Sequence, residues 1–163
     1  AARRVAIAAG CGPRGSPAVP PAASAAAPAR SYERERQNLD EAIAYAKALA
    51  ASRPDDGLLP LEVVSLHLER ARLTGDYAEF GRARQVLEAK PPSAGAAAAH
   101  CLLQARLDYA LHRLKQARER LAACPAGNDQ AEVAGLAADL AMYGGQYREA
   151  ESAYRALWVS ALS

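Results

Sequence analysis

From Ser31 onward the chain alternates stretches of helical apolar periodicity with short breaks rich in glycine, proline and charge. Over residues 32–52, Leu39, Ala42, Ile43, Ala46 and Leu49 recur at three- and four-residue steps, which aligns them in one stripe of a helix. Ser31 is the residue type that caps such a helix, and the run from Pro54 to Gly57 ends it. The same reading predicts helices over 61–74, 78–90, 95–110, 114–123 and 129–143, and a last one from Tyr147 toward the C-terminus. Gly75, the Pro91-Pro92-Ser93 run and Pro125 supply stops between them. Residues 12–30 are Pro, Gly, Ser, Ala, Val and Arg with no periodic apolar face, a composition expected to form a disordered Pro/Ala linker.

Composition sharpens this into an all-α expectation. Of the 163 residues 51% are hydrophobic but only 6% aromatic, so alanine and leucine must build the core. Small side chains let helix axes approach, and alanine has the best helix propensity; strands are poorly served by such a mixture. The net charge of +2 comes from interspersed signs and leaves no footprint for nucleic acid. Arg greatly outnumbers Lys, which occurs only at Lys47, Lys90 and Lys115, a bias typical of a GC-rich bacterial genome. Met142 is the single methionine, so the numbering is expected to begin inside a longer precursor.

The segments after successive breaks resemble one another: "NLDEAIAYAKAL", "FGRARQVLEA", "RLKQARERLAAC" and "QYREAESAYRAL". Ala42, Ala83, Ala117 and Ala150 align in them at spacings of 41, 34 and 33. A period near 34 is that of helix-turn-helix arrays. With Ala138, Gly145, Tyr147, Ala150, Tyr154 and Leu157 in order, and "TGDY" upstream, the chain resembles the tetratricopeptide repeat (TPR) family. The resemblance departs at the stretched first interval, at His112 where the turn glycine belongs, and at the missing Trp of the first helix in each unit. It implies that residues 31–163 form a TPR-like solenoid of antiparallel helix pairs, about three units behind an N-terminal capping helix.

In that family the first helix of each unit lines a concave groove. Carried over by position, the expected partner-binding residues are Glu69, Arg72, Leu102, Arg106, Tyr109, Asp139, Met142 and Tyr143, with Glu62, Ser65, Leu73 and Glu132 beside them. Packing between units is the competing role for Leu102, Tyr109 and Met142. The Lys and Asn clamp by which some family members hold chaperone C-termini is absent. Cys101 and Cys124 stand 11 residues before and 12 after the turn position His112, hence at one level on paired helices. They read as a disulfide or as two buried free thiols, depending on helix rotation.

Other candidate chemistry has simpler readings. The acid pairs Asp55/Asp56 and Glu33/Glu35 are solvated charge, and Arg113, Lys115, Arg118 and Arg120 form a solvated basic face. His67, His100 and His112 with the cysteines match no zinc spacing, and adjacent His100 and Cys101 diverge by about 100° on a helix. No catalytic residue, metal, cofactor, nucleic acid or small-molecule substrate is therefore expected.

Residues 1–11, "AARRVAIAAGC", resemble a bacterial lipoprotein signal: two arginines, a short apolar run and small residues before Cys11, the expected lipidation site. The combined expectation is a non-enzymatic scaffold for a protein or peptide partner, tethered on the periplasmic side of a bacterial membrane. The alternatives are an accessory TPR domain of a longer enzyme or regulator, or a cytoplasmic adaptor whose Cys11 carries no lipid.

Overall fold

Capping chemistry sets the ends of several helices. The Ser31 hydroxyl accepts the backbone N–H of Arg34 to open α1 (Tyr32–Ser52), and the Asp129 carboxylate accepts those of Ala131 and Glu132 to open α6 (Gln130–Tyr143). α2 (Leu59–Thr74) starts two residues earlier than its periodicity suggests, because Pro60 is compatible with a first turn whose N–H groups are unpaired anyway. α3 (Ala78–Ala89) follows the turn at Gly75, and a 3₁₀ turn over Ala94–Ala96 leads into α4 (Ala97–Ala110). α5 (Leu114–Ala123) and α7 (Tyr147–Ala161) complete the set. This computed structural model describes residues 31–89 and 91–161, so the expected linker 12–30 and lipidation site Cys11 lie outside the described residues. Among the described residues there are seven α-helices and no strand.

The helices pack in neighbouring pairs. α2 packs with α3, α4 with α5 and α6 with α7, while α1 lies on α2. Short turns make the members of each pair antiparallel. α4 also touches α2 and α3, and α6 touches α4 and α5, so each pair is joined to the next through its first helix. One core cluster joins Leu61 and Val64 of α2 to Ala83 and Leu87 of α3 and to Leu103 and Leu107 of α4. A second joins Leu102 and Ala105 of α4 to Ala117 of α5 and to Leu136 and Leu140 of α6.

Of the aligned alanines, Ala83, Ala117 and Ala150 are buried, as are Ala105 and Ala138 on the helices opposite, whereas Ala42 is only half-buried. A methyl group is what these contacts accommodate. Ala150→Leu is expected to overpack α7 against α6 at a cost of about 2 kcal/mol, read as a lower melting midpoint.

His112 and Gly145 play the same local role despite their different chemistry. Both take a left-handed conformation, at φ 56 and 78, and the next N–H in each case reaches back to the helix end: Arg113 to the Asp108 carbonyl (2.8 Å) and Gln146 to the Ala141 carbonyl (2.9 Å). His112 does this with a side chain that disfavours the conformation.

The basic face expected on α5 is only partly solvated. Lys115 is exposed beside Glu119, but the Arg118 guanidinium donates to the Leu140 carbonyl near the end of α6 (3.1 Å). Arg120 donates to Asp108 (3.0 Å) and Gln104 (2.9 Å). Both arginines tie α5 to its neighbours, because long side chains can carry their charge to a carboxylate or to a carbonyl near a helix end, here one that also accepts the Gly144 N–H.

Candidate functional site

The first helices of the three pairs, α2, α4 and α6, share a depression of about 740 Å³. α2 contributes Ser65, Leu68, Glu69 and Arg72, a set spaced for one helical face. α4 contributes Leu103, Arg106, Tyr109 and Ala110, and α6 contributes Glu132, Leu136, Asp139 and Tyr143 among others. Arg106 and Asp139 thus line the same surface.

Charges in the groove are mixed. Arg106 lies 3.7 Å from Glu132, a partly exposed pair bridging α4 and α6. Asp139 accepts a 2.5 Å hydrogen bond from the hydroxyl of Tyr154, which reaches in from α7. That bond, followed by burial, pushes the Tyr154 hydroxyl up to about 12. Burial and then the Asp139 charge do the same for Tyr109, also to about 12. The Tyr143 ring meets Tyr109 edge-on at 5.8 Å between centroids and His112 likewise at 6.4 Å.

Comparisons with protein families, with curated proteins and with solved structures return no match.

Of the residues expected in the groove, Glu69, Arg72, Arg106, Tyr109, Asp139 and Tyr143 line it, with Ser65 and Glu132. Two of the expected partner-binding residues lie elsewhere. Leu102 is 4% exposed and packs in the α4–α5–α6 core, and Met142 is exposed but does not line the depression. Each sits one position from a groove residue or close to it, and one step of about 100° is enough to turn a side chain off the groove. Glu62 and Leu73 also fall outside the lining. His112 and Tyr154 belong to it without having been expected there. In the sequence both are positions of the hairpin pattern, which carries no further signal for the groove.

Cys101 and Cys124 are bonded, with their Cα atoms 5.5 Å apart, so the rotation left open by the sequence brings them face to face. The bond joins the start of α4 to the residue that ends α5, at the opposite end of that pair from the His112 turn.

A second polar cluster was not legible beforehand. Glu79 at the start of α3 is 1% exposed and takes His67 Nδ1 on one oxygen at 2.6 Å and Arg70 on the other at 2.5 Å, with Arg82 as a further donor. Arg70 also donates to Asp40 of α1 at 2.7 Å. With Glu79 a carboxylate, the neutral His67 ring must carry its proton on Nδ1. Its Nε2 is buried and meets no hydrogen-bond partner among the described residues. Burial is the largest influence on His67 and lowers its pKa, against the opposing pull of Glu79. The cluster borders a smaller depression of about 280 Å³, but its pairings run between α1, α2 and α3 and read as a structural clasp.

Proposed function

We propose that the chain is a TPR-like solenoid that binds a peptide or helix of a partner protein in the groove shared by α2, α4 and α6, without catalysis. The observation that carries this reading is the single depression spanning all three first helices, lined by tyrosines and arginines. Such side chains offer large contact area with few rotatable bonds per unit surface or planar hydrogen-bonding forks, and they dominate recognition surfaces. Left-handed turn residues at Gly75, His112 and Gly145, each between the helices of a pair, support a repeated unit. Stacked units of that kind present extended concave surfaces. The reading includes a tether through a lipidated Cys11 on the periplasmic side of a bacterial membrane. It draws support from the Cys101–Cys124 disulfide, a bond that persists in an oxidising compartment.

A photocrosslinking amino acid placed in turn at Arg72, Arg106 and Lys115 in cells tests the reading. Adducts with a polypeptide are expected from the two groove positions and not from exposed Lys115 on α5. In a Tyr109→Ala/Tyr143→Ala background the groove adducts should fall at least about tenfold while helicity is kept, since aromatic anchors of this kind each contribute on the order of 1 to 2 kcal/mol. Equal adducts from Lys115, or loss of helicity in the double variant, would count against the groove.

A further inference from the structure

The groove changes character between its two sides. Toward α2 its charges stand apart: Glu69 and Arg72 are exposed, and Arg106 is engaged with Glu132. On the side formed by α4, α6 and α7, four rings and one carboxylate share the lining. Tyr109, Tyr143, Tyr154 and His112 line that part of the depression together with Asp139.

The rings are not stacked on one another. Tyr143 stands at 75° to Tyr109 and at 72° to His112, so neighbouring rings meet edge to face. Perpendicular rings present both edges and faces along the depression, and ring faces carry partial negative charge. Asp139 adds a full charge. One of its oxygens is held by the Tyr154 hydroxyl at 2.5 Å, and the other has no hydrogen bond among the described residues. The Asp139 charge also raises the pKa of both Tyr109 and Tyr154. Both phenols stay protonated to about 12.

Ligand classes can be separated on this chemistry. An anion would meet Asp139 at close range. A purely apolar group would take water from the free carboxylate oxygen and return no hydrogen bond, which is costly. A cation is favoured both by the ring faces and by the carboxylate. Between cations, a guanidinium fork is best matched by both oxygens of a carboxylate, one of which Tyr154 already holds, whereas a compact ammonium can donate to the single remaining oxygen. The rings line a depression of about 740 Å³, far larger than an ammonium head, which leaves room for the chain that carries it.

We propose that Tyr109, Tyr143, Tyr154 and His112, with Asp139, form a cation-recognition subsite that takes the ammonium head of a lysine side chain on the bound polypeptide. This rests on the groove reading above and adds the residue type that the groove selects. The lysine stem lies against the rings, and its ammonium donates to the free Asp139 oxygen.

Fluorescence anisotropy with labelled short Ser/Ala peptides that differ only at one central residue tests this. Lysine should bind about tenfold tighter than norleucine, which keeps the stem and drops the charge. Asp139→Asn keeps the shape and the acceptor for Tyr154 but removes the charge, and should reduce the preference to about twofold or less. Tyr143→Leu, at a residue 54% exposed, should weaken the lysine peptide more than the norleucine peptide without lowering the melting midpoint. Equal binding of the two peptides, or a preference that survives Asp139→Asn, overturns the subsite. Saturable binding of phosphocholine without binding of the lysine peptide overturns the assignment to lysine and points to a lipid headgroup. Binding of neither overturns the subsite, and the crosslinks from Arg72 and Arg106 then report separately on whether the groove still holds a polypeptide.

Discussion

Reduction of the Cys101–Cys124 bond is expected to lower the melting midpoint by about 10 °C. The bridged residues are separated by 23 positions, and releasing a loop of that length restores chain entropy to the unfolded state worth about 3 kcal/mol. In a domain of this size each kcal/mol moves the midpoint by roughly 3 to 4 °C. The α4–α5 pair depends on the bond more than its neighbours do, because its turn is made by His112 in a left-handed conformation that costs a non-glycine residue about 1 kcal/mol. Melting with and without reductant, beside a Cys101→Ser/Cys124→Ser variant, checks this. The variant should melt near the reduced protein and ignore the reductant. An unchanged midpoint after thiol counting shows full reduction would sink the prediction.

The Glu79→Gln variant should lose a similar amount of stability for a different reason. The Glu79 carboxylate is buried and is shared by His67, Arg70 and Arg82, and Arg70 links it onward to Asp40 of α1. Gln keeps the shape but removes the charge that compensates Arg70, and it presents an amide where an acceptor is needed. The expected loss is about 3 kcal/mol, below the upper range for a buried pair because the arginines retain contact with water. Chemical denaturation should show a lower midpoint with little change in slope, since no core surface is newly exposed. A variant as stable as the parent would mean that Glu79 contributes nothing net.

The same cluster sets a pH dependence. His67 has a lowered pKa in the fold, chiefly through burial, against 6.5 for the free side chain. Below about 6.5 the unfolded chain therefore binds a proton that the folded chain resists. Stability from this group is complete above that pH and is lost as pH falls from it toward the folded value. Glu79, which raises the His67 pKa, and Lys47 and Arg82, which lower it, are the other charges that act on the ring. The melting midpoint should decline below about pH 6.5, and His67→Gln should flatten that part of the profile.

Helix number, most helix ends and the identity of the turn residues were legible from the chain because their causes are local. Ser31 and Asp129 cap through bonds to N–H groups two or three residues on, and Gly75 and Gly145 relieve sterics within a single residue. The groove was legible in part because the family resemblance implies which positions of each first helix face it: Arg106 and Tyr109 of α4 and Asp139 and Tyr143 of α6 line the depression.

Rotation and partnership were decided only by packing. In alanine-rich helices both faces look alike, so spacing did not tell that Leu102 turns into the α4–α5–α6 core while Arg106 lines the groove. Equal distance from the turn put Cys101 and Cys124 at one level, but only the seating of α5 on α4 made them face each other. Glu79 looked like an ordinary acid in a first helical turn, since nothing nearby announces that His67 and Arg70 of another helix will enclose it. Tyr154 likewise looked like a repeat position until α7, folded back on α6, brought its hydroxyl to Asp139. A buried charge or a shared hydrogen bond is stable only when its partner arrives from elsewhere in the fold, and that arrival is a property of tertiary packing.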